Sequence, residues 1–400
     1  MMSIRSISLS ILVLSVLQSQ YTSTEGFAAK NKAKSSGGGG FGVAKSVLTH
    51  TPDASKETQA LLKFLKSQKA KGLADCEIGT DETSGVRGMF ATKNFKKGAF
   101  LCQIPSDAAL ALSDPSQNGE DAPTSAHGGA NFLRMYIHDP KAKKLWAPYL
   151  NTLPTQGGAL FDPTPDFMDE EELELLEFPR AIQVAKSRKE EVTKLAAEQG
   201  LDVDELQFAT WLTTSRAFAI SMSTESEESD KAMLENDAAE TTGAESSSSS
   251  EEATTSEGEK ETVVTKAESK TIRVMVPFID MVNHNSNEPN AKLTLIDPEK
   301  DEAWFALEAT RPIKAGKEIA IAYGTGVESS VELFLNYGFI PKTNKMDEFM
   351  LEKGGDDAIT SLDGWTTTLE EDQSMLGMAE GDSTLQKILN FRIRLKESYK

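Results

Sequence analysis

Residues 276–291 read VPFIDMVNHNSNEPNA, an apolar run that carries one carboxylate, Asp280, and ends on an Asn-His pair inside an asparagine-rich turn. Asparagine side chains satisfy nearby backbone groups in such turns, so the segment alone predicts a turn with satisfied side chains. Asp280 and His284 stand four apart, but a lone pair of ligands does not make a metal site, and none is assigned. The segment sits among β-rich runs. IRVMV from Ile272 leads into it, and AKLTLID, AWFALEAT and KEIAIAYG follow, each bounded by turn residues.

Two further stretches complete the pattern. Residues 85–105, GVRGMFATKNFKKGAFLCQIP, predict a glycine turn, a strand over Met89–Ala91, a turn at Lys97-Gly98 and a second strand over Phe100–Ile104, together a β-hairpin. Residues 311–341 read RPIKAGKEIAIAYGTGVESSVELFLNYGFIP. A lysine-rich segment from Lys56 to Lys71, with Leu61, Leu62, Phe64 and Leu65 near helical spacing, predicts an amphipathic opening helix. The region 127–221 is helical in period and propensity throughout. From these signals we read a leader over 1–50, a first β segment with its helix over 51–126, a helical insert over 127–221, an acidic disordered loop over 222–270, a second β segment over 271–341 and a short C-terminal region over 342–400. Because the insert splits one β fold, the two halves depend on each other.

Composition narrows the function classes. The formal net charge is −20, which argues against nucleic acid as partner, since phosphate binding needs a basic surface. More than half of that charge lies between Met222 and Thr262, where thirteen acidic residues face only Lys231 and Lys260. A segment so polar and free of aromatic residues cannot offset its ordering entropy, and we read it as a solvated spacer, with folding over a basic substrate as the alternative. Cys76 and Cys102 lack metal-site spacing and are expected as free, buried thiols. No apolar run is long enough for a stable membrane span in the mature chain. Arg5 and the apolar stretch Ile7–Leu17 have signal-peptide proportions. From Gly26 to Pro52 the chain is basic, rich in Ser and Gly and free of acidic residues. This resembles the two-part leader of algae with secondary plastids, which implies a plastid destination; plain secretion is the alternative.

The Arg-Gly-Met-Phe-Ala of residues 87–91, the D-x-x-N-H of Asp280–His284, and the A-G-x-E-I, Y-G and N-Y-G-F of the third stretch occur in order, with a helical block between the first and second. In this the chain resembles the SET-domain methyltransferases, in the branch related to the Rubisco large-subunit methyltransferases, over about residues 56–341. The resemblance implies an α+β SET fold of short strands interrupted by a helical insert. It also implies S-adenosyl-L-methionine as cofactor and a lysine side chain of a non-histone protein, here a plastid protein, as acceptor. Gly85, Val86 and Arg87 would approach the methionine part of the cofactor through their backbone, Asn283 its amino-acid end, and His284 its adenine. Tyr323 would stand at the methyl-transfer centre, with Arg216, Phe218, Asp280 and Tyr337 bordering the substrate pocket. The C-terminal region is shorter than the helical domain of plant relatives, which puts Rubisco as substrate in doubt. Protein-histidine methylation and a non-catalytic interaction module are the competing readings.

Overall fold

The computed structural model describes residues 50–113, 124–222, 270–298, 302–347 and 365–398. Apart from His50, Met222 and Lys270, the leader and the acidic segment lie outside the described residues. The chain enters through β1 (His50–Pro52) and α1 (Lys56–Ser67). Ser55 caps α1 by accepting from the Thr58 N–H at 3.2 Å, and Leu61 and Leu65 turn inward, as their spacing predicts. His50, assigned to the leader by the sequence, is instead buried. Its ring stacks on Phe90 with centroids 3.9 Å apart and meets the Glu77 carboxylate at 2.9 Å.

Four strands follow, β2 (Cys76–Asp81), β3 (Arg87–Ala91), β4 (Phe100–Pro105) and β5 (Leu110–Ala111). The helical block holds α2 (Ser125–Phe132), α3 (Pro140–Leu150), α4 (Glu170–Glu174), α5 (Pro179–Gln199) and α6 (Val203–Arg216). Then come β6 (Ala217–Met222), β7 (Lys270–Met275), β8 (Asn283–His284), β9 (Ala291–Ile296), β10 (Trp304–Ala309) and β11 (Glu318–Ile321). The helices α7 (Ser330–Tyr337), α8 (Leu369–Met378) and α9 (Ser383–Ser398) close the chain.

The strands form three sheets, ordered β1-β2-β3-β11-β8, β4-β10-β9 and β5-β7-β6. Each sheet joins a strand from before the helical block to one from after it: β3 to β11, β4 to β10, β5 to β7. Neither half can satisfy its own backbone ladder, which is the interdependence expected of a split fold.

The predicted hairpin is corrected. β3 and β4 do not pair with each other; β3 lies between β2 and β11, while β4 pairs with β10. The reason is Phe95, buried between the two strands, which exchanges backbone hydrogen bonds with Ile313 at 2.8 and 3.0 Å and so carries the chain from one sheet to the next. The hairpin lies one strand earlier, joining β2 to β3, and Gly85 (φ +70°) turns it.

The helical block packs closely on α6. A Cβ at Gly129 of α2 would sit 2.7 Å from the Thr210 backbone nitrogen, so only glycine permits this approach. Cys76 and Cys102 are free and buried, as expected. They meet across the core, where the hydrogen bond to Cys102 and then burial hold the Cys76 thiol protonated. Beyond residue 341, α9 packs Phe391 on Phe334 of α7 with ring centroids 4.7 Å apart. Its buried Arg392 and Lys396 meet the fully buried Asp372 of α8.

Gly338 ends α7 at φ +82°, and a Cβ there would lie 2.2 Å from the Asp162 carbonyl oxygen. Gly98 has a similar φ of +80° with open space around it. In urea unfolding, Gly98→Ala should cost only the backbone penalty of about 1 kcal/mol, and Gly338→Ala about 3 kcal/mol, because backbone must move as well. Equal losses would contradict the described contact.

Candidate active site

The site is organised by the two-residue strand β8, which runs parallel to β11 with Asn283 opposite Ala320 and His284 opposite Ile321. The asparagine-rich turn locks this pairing. The Asn290 side chain accepts from the Ala320 N–H at 2.9 Å and donates to the Glu318 carbonyl at 2.8 Å. Its backbone N–H donates to the Ala320 carbonyl at 2.9 Å.

Tyr323, two residues beyond β11, is tied at both ends to the 282–284 segment. Its backbone N–H donates to His284 Nδ1 at 2.9 Å, and its hydroxyl donates to the Val282 carbonyl at 2.7 Å. Since Nδ1 accepts, the imidazole proton is on Nε2, where it reaches Ser286 Oγ at 2.5 Å. Burial depresses the His284 pKa to about 4, with the Glu328 carboxylate opposing only in part, so the ring is neutral. Around Tyr323 stand the rings of Tyr337 (4.7 Å between centroids), His284 (5.1 Å) and Phe339 (6.4 Å). Burial raises the Tyr323 hydroxyl far above its ordinary pKa and pushes Tyr337 up to about 12. Both phenols are neutral at any working pH.

Asn283 uses both amide hydrogens inside the protein, donating to the Arg87 carbonyl at 2.9 Å and to Glu318 Oε1 at 2.8 Å. What it presents to a ligand is therefore its Oδ1, an acceptor. The Glu318 carboxyl beside it is raised by burial, with the Asn283 hydrogen bond opposing. Gly88 makes the corner possible, because a Cβ there would lie 2.7 Å from both Asn283 Nδ2 and Glu318 Oε1. A groove of about 600 Å³ opens alongside, lined by His284, Ser286, Phe339 and Pro341 among others.

The first β segment meets the site along β3, through the Arg87 carbonyl and the close approach at Gly88. The Arg87 guanidinium points away, to Asp53 at 3.0 Å and Thr58 at 3.3 Å. Gly85 and Arg87 line a second groove, of about 730 Å³, that holds neither Asn283 nor His284. Val86 is more than half exposed in the β2–β3 turn. Asp280 and Arg216 are together, the guanidinium 3.4 Å from Asp280 Oδ2 and 3.3 Å from the Asp280 carbonyl. Phe218 and Tyr323 pack against the same core. Phe218 lies in β6, opposite Val274 of β7.

Four residues of the site carry no assignment from the sequence: Gly88, Glu318, Phe339 and Tyr149. The first three lie within the quoted motifs, and period-two alternation on β3 and β11 puts Gly88 and Glu318 on one sheet face. Tyr149 comes from α3 and has no such signal; it donates to Asp280 Oδ2 at 2.7 Å. The neutral His284 makes a prediction. Between pH 6.5 and 4 the unfolded chain takes up a proton that the folded ring refuses, so stability rises with pH across that window and levels off above it. Thermal unfolding from pH 4 to 8 should give a shallower rise in this window for His284→Gln than for the wild type; parallel curves would contradict the assignment.

Among solved structures, the chain is similar to one described as the SET domain of LSMT bound to lysine and AdoHcy, with a TM-score of 0.54 and 17% identity over 86% of this chain and 89% of that one. It is also similar to Rubisco LSMT bound to AdoMet, with a TM-score of 0.53 and 17% identity over the same shares. At that identity the likeness establishes the fold. Comparison with curated protein sequences gives no match. The SET domain family model matches residues 86–324, which run from the β2–β3 turn, through the insert and β8, to the glycine after Tyr323, and the chain belongs to the SET-domain family.

Proposed function

We propose that this protein is an S-adenosyl-L-methionine-dependent lysine N-methyltransferase acting on a non-histone protein. The observation that carries the reading is the double tie on Tyr323. With its hydrogen given to the Val282 carbonyl, the phenol oxygen keeps lone pairs with which to accept a hydrogen bond from an incoming amine.

The residues present fit the cofactor. Asn283 Oδ1 and the Glu318 carboxylate form an acceptor-rich corner suited to the ammonium of an amino-acid end. His284 and Phe339, whose ring centroids are 5.8 Å apart, offer flat faces for a purine in the adjoining groove. When bound, the cofactor supplies a methyl group on a sulfonium. The protein's own part is to align the acceptor and exclude water. Lysine must arrive neutral, and its free pKa of about 10.4 opposes this. Burial against Tyr323 and Tyr337 disfavours the ammonium, and the nearby Arg216 guanidinium, close enough to act on Tyr323, adds like-charge repulsion. Tyr323 stays protonated and is not the base; it orients the amine. The aromatic wall supports an alkylamine acceptor over an imidazole. The basic, acid-free stretch from Gly26 to Pro52 supports delivery to a plastid, where the acceptor protein would reside.

Transfer of labelled methyl from S-adenosylmethionine into a plastid protein extract tests the reading. The wild type should label a discrete band at a lysine identifiable by mass spectrometry, and Tyr323→Phe should label it about a hundredfold more slowly. Cofactor binding without labelling, or a Tyr323→Phe variant of equal rate, would contradict it.

A further inference from the structure

Among the described residues, Tyr149 has the largest volume of the fully buried side chains. Its hydroxyl is the closest partner of the Asp280 carboxylate, 2.7 Å from Oδ2, against 3.4 Å for Arg216 Nη1. The carboxylate has no solvent exposure, and its Oδ1, like Arg216 Nε, is buried without a hydrogen-bond partner. Such a group is costly to enclose and needs its remaining partners. It also sits in a demanding place. Asp280 belongs to the 3₁₀ turn Ile279–Met281, entered through Phe278 at φ +77°, a conformation that bulky side chains rarely adopt. The next residue is Val282, whose carbonyl accepts from the Tyr323 hydroxyl.

We infer that Tyr149 is a positioning residue for methyl transfer: it holds the Asp280 carboxylate, fixes the Ile279–Met281 turn, and so carries the Val282 carbonyl to the Tyr323 hydroxyl. The role rests on the methyltransferase reading. The Tyr149 hydroxyl acts through Asp280, its hydrogen-bond partner. Tyr149 from α3 and Arg216 from α6 contact the Asp280 carboxyl, while Arg87 from β3, whose guanidinium turns to Asp53, and Tyr323 beyond β11 act on it electrostatically from farther off. Burial raises the Asp280 pKa, and Arg216 and Tyr149 oppose the rise. Without the Tyr149 hydroxyl, Asp280 takes up a proton at higher pH and loosens its hold on Arg216, so the acid limb of the rate profile moves upward.

The test compares Tyr149→Phe with Tyr136→Phe in the full chain. Tyr136 is a matched control, a buried tyrosine whose hydroxyl donates to the Ala111 carbonyl at 2.9 Å. Both variants lose one buried hydrogen bond and should lose similar thermal stability. Only Tyr149→Phe should lower kcat, by about tenfold with KM for the labelled acceptor within about twofold. It alone should move the acid limb up by about one pH unit and speed amide exchange across residues 279–282. If the two variants behave alike in rate, pH profile and exchange, the inference is overturned. Should the wild type transfer no methyl, the methyltransferase reading falls separately, and the exchange comparison still decides whether Tyr149 holds the turn.

Discussion

Everything at the site depends on a parallel pairing only two residues long, Asn283 and His284 of β8 against Ala320 and Ile321 of β11. Two hydrogen bonds extend it, from both ends of Tyr323 to His284 and Val282. A ladder this short would not persist on its own. It persists because the Asn290 side chain completes its edge and because β11 is already paired with β3 on its other side. Segments 30 to 200 residues apart are thus brought to one corner. The amide of Asn283, with both hydrogens engaged, and the phenol of Tyr323, with its hydrogen donated, each present an acceptor to whatever binds there.

The electrostatics of the corner follow from burial. His284 is neutral, the phenols of Tyr323 and Tyr337 remain protonated, and Glu318 and Asp280 carry carboxyl groups that burial pushes upward. Arg216 stands next to Asp280, a pairing whose worth depends on further hydrogen bonds to the carboxylate. Among the described residues the corner thus combines neutral rings with carboxyl groups that burial favours in their protonated form.

Much of this was legible in the sequence. β-rich composition and flanking turn residues marked β7, β9, β10 and β11, and the asparagine-rich turn after His284 was readable from residue type, because those side chains bond locally. The partner of each strand was not readable. The Met89–Ala91 and Phe100–Ile104 strands look like a hairpin because they are close in sequence, yet a single buried residue, Phe95, sends them into different sheets. Tyr149 and the meeting of Cys76 with Cys102 were hidden for the same reason, since long-range contacts leave no periodic trace. Asn283, His284 and Tyr323 could be named because they lie in ordered motifs, whereas Glu318 lay in the same motif and showed its role only through its contact with Asn283.

The central claim is that the β8–β11 corner holds the cofactor through the Asn283 acceptor. Calorimetric titration of the chain with S-adenosylmethionine, in the wild type and in Asn283→Ala, tests it most directly. The account predicts binding by the wild type and at least about a tenfold loss of affinity in the variant, the scale of one charge-assisted hydrogen bond. No binding by the wild type, or equal affinity in the two proteins, would contradict it.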